Sequence, residues 1–190
     1  MSPVSSIAMS RSPSVGSRRS RAGRFLYRIR EVDGQDEEIA EILAELHRLT
    51  FFRCAPVPSF DWGHWWLIYQ EATPVGFAGV LPSTHVRNAG YIIRVGVLTA
   101  HRGRRLQLRL MRVVESRARG NGWHCLVSDT TANIRSANNF IRAGYRLYQP
   151  HCPWAFADTL YWRKIIRPAS SLHGTHTKRP QPFSSDRPTV

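Results

Sequence analysis

The sequence has few acidic residues, almost no lysine and no long apolar run. Its 190 residues include 13 aspartates and glutamates against 27 basic residues, of which only Lys164 and Lys178 are lysines, so the formal net charge is +14. No apolar run approaches the roughly 20 residues that cross a bilayer. We therefore expect no membrane-spanning helix and no membrane partner.

Cysteine is scarce as well. Cys54, Cys125 and Cys152 are widely spaced and form no C-x-x-C pair, which indicates free thiols in a reducing cytoplasm. The eight histidines are scattered, and no set of Cys and His has the spacing of zinc ligands. The sequence therefore predicts a cytoplasmic protein without a metal site.

Much of the positive charge lies near the two ends of the chain. Residues 1–24 contain five arginines and no acid, and residues 167–190 have a net charge of +3. Both segments contain too few large apolar residues to offset the entropy of ordering. We expect two disordered tails around one domain, residues 25–166. Because excess Lys and Arg bind phosphates non-specifically, the tails are also candidates for nucleic-acid contact.

Between the tails, strand and helix patterns alternate along the chain. Apolar alternation or apolar runs predict strands at 25–32, 64–71, 75–83, 89–98, 124–130, 145–150 and 158–166, and helical spacing predicts helices at 36–50, 104–119 and 133–144. Residues 51–63, interrupted by prolines, are a loop or a short helix. A helix that connects two strands of one sheet requires parallel pairing, whereas short turns give antiparallel hairpins. The pattern predicts an α/β fold with a central mixed sheet of six to seven strands flanked by helices.

Three arginines stand at the start of the helix predicted over 104–119. Arg102, Arg104 and Arg105 follow a buried strand and precede the first full helical turn. A helix N-terminus has free backbone N–H groups and partial positive charge, so the arginines repel each other there unless an anion binds. The junction of strand, loop and helix therefore predicts a phosphate site.

Two stretches around this junction resemble the acetyl-coenzyme A-dependent N-acetyltransferases of the GNAT superfamily. The resemblance covers roughly residues 25–166 and is sharpest over 91–149. The family's phosphate turn, Q/R-x-x-G-x-G/A, reads RGRRLQ at 102–107, with Arg105 and Gln107 in place of the small residues. The second signature, N-x-x-A-x-x-x-Y-x-x-x-G-F/Y, reads NIRSANNFIRAGY at 133–145, with Phe140 in place of tyrosine.

The resemblance implies an acetyltransferase that uses acetyl-CoA as cosubstrate and transfers the acetyl group to a primary amine by direct attack. Backbone N–H groups between two splayed strands would polarise the thioester carbonyl. The cofactor-binding residues that it implies are Val95, Gly96, Val97, Arg102, Gly103, Arg104, Arg105, Leu106, Gln107, Asn133 and Phe140.

The sequence does not decide which residues act as general base and general acid. The candidates for the general base are Glu31, Glu71, His64, His85 and Asp129, with a chain of waters as the alternative. Phe140 has no proton to give to the departing thiolate, so Tyr145 and Tyr148 are candidates for that role, with bulk water as the alternative.

Aromatic residues mark the region where the family builds its acceptor site. This group consists of Phe51, Phe52, Phe60, Trp62, Trp65 and Trp66, and a second aromatic loop at 148–162 is placed to close the pocket. From these we predict substrate contacts by Asp61, Trp62 and Trp154. The acceptor itself stays open between a small amine, an antibiotic, a peptide N-terminus and a lysine.

Two other functions and one assembly state follow from the same observations. The basic tails suit a nucleic-acid-binding or ribosome-associated protein on the same fold. The altered phosphate turn and Phe140 suit a degenerate member that binds CoA without catalysis. The resemblance also allows a homodimer.

Overall fold

The computed structural model describes residues 26–52 and 55–166. The elements are β1 (Tyr27–Val32), α1 (Glu37–Phe51), β2 (His64–Gln70), β3 (Thr73–Pro82), β4 (Ala89–Val97), α2 (Leu106–Gly120), β5 (Cys125–Thr130), α3 (Ile134–Arg142), β6 (Arg146–Leu147) and β7 (Leu160–Ile165), with a 3-10 turn at Thr99–His101. Within this part of the chain, no helix combines the length and apolarity that a membrane span requires. The predicted tails, 1–24 and 167–190, lie outside the described residues.

Seven strands form one mixed sheet in the order β1-β2-β3-β4-β5-β7-β6. The pairing of β4 with β5 is parallel and the other pairs are antiparallel. Helix α2 makes the connection between the two parallel strands, as a crossover must. The predicted α/β class and the mixed sheet of six to seven strands are confirmed.

The two faces of the sheet carry separate apolar cores. On one face, α2 buries Leu110, Met111 and Val114 against Ile92 and Leu126, among others. On the opposite face, α1 buries Leu43 and Leu46 against Trp65, Leu67 and Phe77. The sheet thus separates an α2 face from an α1 face. The gap between β4 and β5, where the two strands separate, is open to both faces.

Some element boundaries differ from the sequence prediction. Strand β6 has two residues instead of the predicted six, and residues 148–159 form a loop that contains Pro150 and Pro153. Helix α2 begins at Leu106, because Arg105 adopts a left-handed conformation that ends the preceding turn. The described residues between Phe52 and Gly63 form a loop without a second helix.

Candidate active site

Strands β4 and β5 separate after a short parallel pairing. Their paired positions are Ala89–Tyr91 with Cys125–Val127. Along β3, Gly79 pairs with Arg94 and Val80 pairs with Ile92, so Ile93 is the extra residue of a β-bulge. Because a bulge bends its strand, β4 turns away from β5 just beyond Tyr91. The Ser128 hydroxyl donates to the Ile92 carbonyl at 2.9 Å, at the apex of the split.

A cavity of about 1470 Å³ occupies this split and extends between α2 and α3. It reaches both faces of the sheet. All of the residues predicted to bind the cofactor line it: Val95, Gly96, Val97, Arg102, Gly103, Arg104, Arg105, Leu106, Gln107, Asn133 and Phe140. The structure therefore brings the two sequence signatures to one site.

Arginines dominate the α2 face of the cavity. They come from the turn before α2, from α2 itself and from α3: Arg102, Arg104, Arg105, Arg109, Arg112, Arg135 and Arg142. Two of them are anchored on β1, since Arg104 donates to the Tyr27 hydroxyl and Arg109 donates to the Tyr27 carbonyl at 2.8 Å. The α2 N-terminus, with N–H groups that have no intrahelical acceptor, adds to the same positive field.

Two left-handed residues shape the turn that leads into α2. Gly103 has φ +78 and Arg105 has φ 58. The Gln107 side chain, which stands where the family has a small residue, accepts a hydrogen bond from Asn139 Nδ2 at 2.7 Å. This bond ties Gln107 to α3, and the cavity persists beside it.

Asn133 and Phe140 hold α3 in place. The Asn133 side chain caps α3 by accepting the Ser136 N–H at 3.0 Å, which leaves its amide Nδ2 as a donor. Phe140 is 3% exposed and stacks on Trp162, with the ring centroids 5.6 Å apart. No hydroxyl therefore enters the cavity from position 140.

Asp129 is the one proposed base that lines the cavity. Its Oδ1 accepts hydrogen bonds from the Tyr91 hydroxyl at 2.6 Å and from Trp154 Nε1 at 3.0 Å. Burial, together with the Asp129 charge, raises the pKa of Tyr91 above its usual range, so Tyr91 remains a donor at neutral pH. Both bonds end on Oδ1 and leave Oδ2 for a third partner.

The other proposed bases lie away from the cavity lining. Glu31 pairs with Arg117 and with His64 Nδ1, 3.1 Å away, on the outer strands. Glu71 lies at the turn after β2 with φ 55. His85 stacks on the Trp154 ring, with centroids 4.3 Å apart. Glu31, His64 and His85 are thus engaged in local packing or pairing, and the sequence could not place any of the four relative to the split.

Tyr145, the proposed acid, is also absent from the lining. It is 3% exposed, and its hydroxyl has no hydrogen-bond partner among the described residues. Burial, with the Glu115 charge as a second cause, raises the pKa of Tyr145 well above its usual range. Tyr145 belongs to the core under α2 and not to the lining of the cavity.

The structure places each of the three residues predicted to contact the acceptor in a local hydrogen-bonding or packing arrangement. Asp61 accepts from the Ser59 hydroxyl at 2.6 Å, and Trp62 is exposed next to the core residue Trp65. Trp154 packs between His85 and Tyr161. None of the three lines the cavity. The lining on the α1 face is instead made by Thr50, Phe51, Phe52, Ala55, Ile93, Arg94, Ala155 and Phe156.

The half-buried Arg94 and the buried His47 form a pair that the sequence reading missed. Arg94 Nε donates to His47 Nε2 at 3.1 Å, and Arg94 Nη2 donates to the Pro56 carbonyl at 3.3 Å. Burial, and then the charges of Arg94 and Arg48, lower the pKa of His47 to about 4. The neutral histidine thus fixes Arg94, which in turn holds the loop after α1. The helical spacing of Leu43, Leu46 and His47 was the signal that could have identified His47 as a buried residue.

Comparison with known proteins supports one family. The model of the acetyltransferase (GNAT) family matches residues 36–145. No curated protein matches the chain.

Solved structures give the same fold. One is a Klebsiella pneumoniae protein assigned as an acyl-CoA N-acyltransferase (20% identity, 75% of this chain and 99% of that chain, TM-score 0.60). Another is the ribosomal-protein-S18-alanine N-acetyltransferase of Escherichia coli (12%, 78% and 99%, TM-score 0.58). A third is a Salmonella typhimurium protein assigned as an acetyltransferase, with acetyl-CoA as its cofactor (15%, 78% and 99%, TM-score 0.59). The chain belongs to the GNAT acetyltransferase family, whose acetyl donor is acetyl-CoA.

Proposed function

We propose that the protein is an N-acetyltransferase that transfers the acetyl group of acetyl-CoA to a primary amine. The observation that carries this proposal is the polarity of the cavity. Its α2 face carries a cluster of arginines at a helix N-terminus, whereas its α1 face carries one carboxylate, Asp129, and one arginine, Arg94. An anionic donor and a cationic acceptor would therefore enter from opposite faces and meet at the split.

The residues present fit the donor. Arg102, Arg105 and the first turn of α2 would hold its diphosphate, because forked guanidinium donors and free backbone N–H groups both favour phosphate. Asn133 Nδ2 and the edge of β4 beyond Tyr91 would hold the amide-containing arm. Bound acetyl-CoA supplies a thioester carbonyl as the electrophile. Backbone N–H groups of β4 near Val95 would stabilise the oxyanion that develops there.

Asp129 would accept a proton from the ammonium group of the acceptor, which frees the lone pair of the amine to attack the thioester carbonyl. Tyr91 and Trp154 fix the carboxylate through Oδ1, which orients Oδ2 for a substrate proton. Position 140 offers no acid, so water in the open cavity would protonate the departing thiolate. In this proposal a side chain takes up the proton of the acceptor, and water supplies the proton for the thiolate.

Two measurements test this proposal. Calorimetric titration should detect acetyl-CoA binding, and a panel of amines should release free thiol from it. Asp129→Asn should lower kcat by on the order of 100-fold, as loss of a general base does, with the Kd of acetyl-CoA unchanged. Asp61→Asn, outside the cavity, is the matched control and should behave like the wild type. Absence of acetyl-CoA binding would contradict the proposal, and full activity of Asp129→Asn would contradict the base.

The alternative of a CoA-binding protein without catalysis is favoured by two observations. Phe140 removes the hydroxyl that the family signature supplies, and Arg105 and Gln107 alter the turn. Binding of acetyl-CoA without thiol release for any amine would support it. Nucleic-acid contact through the tails, a homodimer and a cytoplasmic location remain predictions from the sequence.

A further inference from the structure

The acceptor end and the donor end of the cavity lie on opposite faces of the sheet. Leu126 and Ile92 belong to the α2 core, so Val127 and Asp129 face the α1 side, where Tyr91 and Trp154 contact Asp129. The residues at the end of α1 line the same side. The arginines of α2 and α3 lie on the other side, so the two ends can be compared directly.

The acceptor end carries very little negative charge. Among the described residues that line the cavity, Asp129 is the single carboxylate. Arg94 lies on the same face and is fixed by His47 and the Pro56 carbonyl. One ammonium group can pair with Asp129, but a second one nearby would meet the positive charge of Arg94. The charges therefore suit a substrate with one amino group and disfavour a polycation.

Exposed aromatic rings form much of the rest of this end. Phe52 is 68% exposed and Phe156 is 77% exposed, and both line the cavity with Phe51, Ala55 and Ala155. Large apolar side chains at a cavity mouth are typical of sites that bind an apolar group.

Phe52 is also held in a costly backbone conformation. It ends α1 with φ 49, where glycine is favoured and a bulky side chain is strained. Strained backbone of this kind concentrates at binding and active sites. The chain thus presents an aromatic ring at the cavity mouth at a position where glycine would be more stable.

We infer that the acceptor is a primary monoamine with an apolar body, whose amino group pairs with Asp129 and whose body packs against Phe52 and Phe156. This inference rests on the proposed function. The substrate class is that of arylalkyl and alkyl amines, including the amino end of a hydrophobic peptide. Polyamines and aminoglycosides are disfavoured by the single carboxylate and by Arg94.

Acetyl transfer to a matched amine panel tests the inference through thiol release from acetyl-CoA. The panel contains 2-phenylethylamine, ethanolamine, spermidine and kanamycin. We expect kcat/KM for phenylethylamine to exceed that for ethanolamine by roughly 10-fold or more, as apolar pockets discriminate, with both polycations below it. Phe52→Gly and Phe156→Ala should lower that ratio several-fold, mainly through KM, and leave the Kd of acetyl-CoA unchanged.

The controls distinguish a failure of this inference from a failure of the proposed function. Leu147→Ala removes an exposed apolar side chain outside the cavity and should change nothing. Phe52→Gly should fold at least as stably as the wild type, so its loss of selectivity cannot be assigned to misfolding. Preference for spermidine or kanamycin, or an unchanged ratio in both Phe variants, would overturn the inference while leaving the proposed function intact. Acetyl-CoA binding without thiol release for any amine would overturn the proposed function as well.

Discussion

The Tyr91 hydroxyl donates to Asp129 Oδ1 at 2.6 Å, across the point where β4 and β5 separate. Tyr91 is the last residue of β4 that is paired with β5, and Asp129 lies two residues beyond its partner Val127. The bond therefore lies at the apex of the split, next to the last paired residues, and fixes the carboxylate proposed as the base. The same hydrogen bond thus joins β4 to β5 and positions the proposed base.

A double-mutant cycle on this pair measures the contact. Tyr91→Phe should destabilise the protein by about 1.5–3 kcal/mol, the range for a hydrogen bond to a charged group. In Asp129→Asn the same Tyr91→Phe change should cost less, because the charge-assisted bond is already lost. Urea unfolding of the four proteins gives the coupling free energy. Additive effects would show that the bond contributes nothing beyond its separate groups.

Arg105 offers a test of backbone strain at the start of α2. Its left-handed conformation costs an L-residue about 1 kcal/mol and costs glycine little. Arg105→Gly should therefore be more stable than Arg105→Ala by about 1 kcal/mol in urea unfolding. Both variants lose the same charge, so both should bind acetyl-CoA more weakly than the wild type. Equal stability of the two variants would contradict the strain, whatever the effect on binding.

His47 makes the fold sensitive to acid. Its pKa is about 4 in the folded protein and near 6.5 when unfolded. The unfolded chain therefore takes up the proton first as pH falls, so this contribution to stability is complete above pH 6.5 and is lost toward pH 4. The loss reaches about 3 kcal/mol by pH 4.

His47→Gln isolates this effect. Glutamine keeps an acceptor for Arg94 Nε but cannot take up a proton, so the variant should lose less stability than the wild type between pH 7 and pH 4. Urea unfolding at several pH values measures the difference. His151→Gln, at an exposed position, should keep the wild-type slope. Parallel curves for His47→Gln and the wild type would show that His47 is not the group responsible.

The sequence predicted the fold well because alternation and helical spacing are local. In α1 the same spacing also marks a polar residue, since His47 is fully buried. Leu43, Leu46 and His47 follow the i, i+3, i+4 rule of a buried face. A polar residue on that face is the signal that was overlooked.

The two ends of the site differed in how far they could be predicted. The end proposed for the donor consists of consecutive residues of one turn and one short helix, so local motifs predicted residues that line the same cavity. The end proposed for the acceptor is assembled from the end of α1, the bulge at Ile93 and the loop that carries Phe156. These segments are distant in sequence, and neither the bulge nor the path of a proline-containing loop has a local signature here. Trp154, the residue predicted from this loop, is two positions from Phe156. Its Nε1 donates to Asp129 and its ring does not line the cavity, whereas Phe156 does.

The proposed phosphate role of Arg102 predicts a specific dependence on salt. Arg102 Nε lies 3.4 Å from the Val97 carbonyl, so the guanidinium stands between β4 and the turn into α2. Arg102→Ala should weaken acetyl-CoA binding at low ionic strength by roughly 10-fold, a typical value for one charge-assisted bond. The difference from the wild type should shrink as salt screens the field of the remaining arginines. Arg146→Ala removes an equal charge from an exposed strand outside the cavity and should leave the affinity unchanged. If both variants weaken binding to the same extent, the interaction is with the net charge of the protein and not with a site, and the assignment of the diphosphate to the N-terminus of α2 fails.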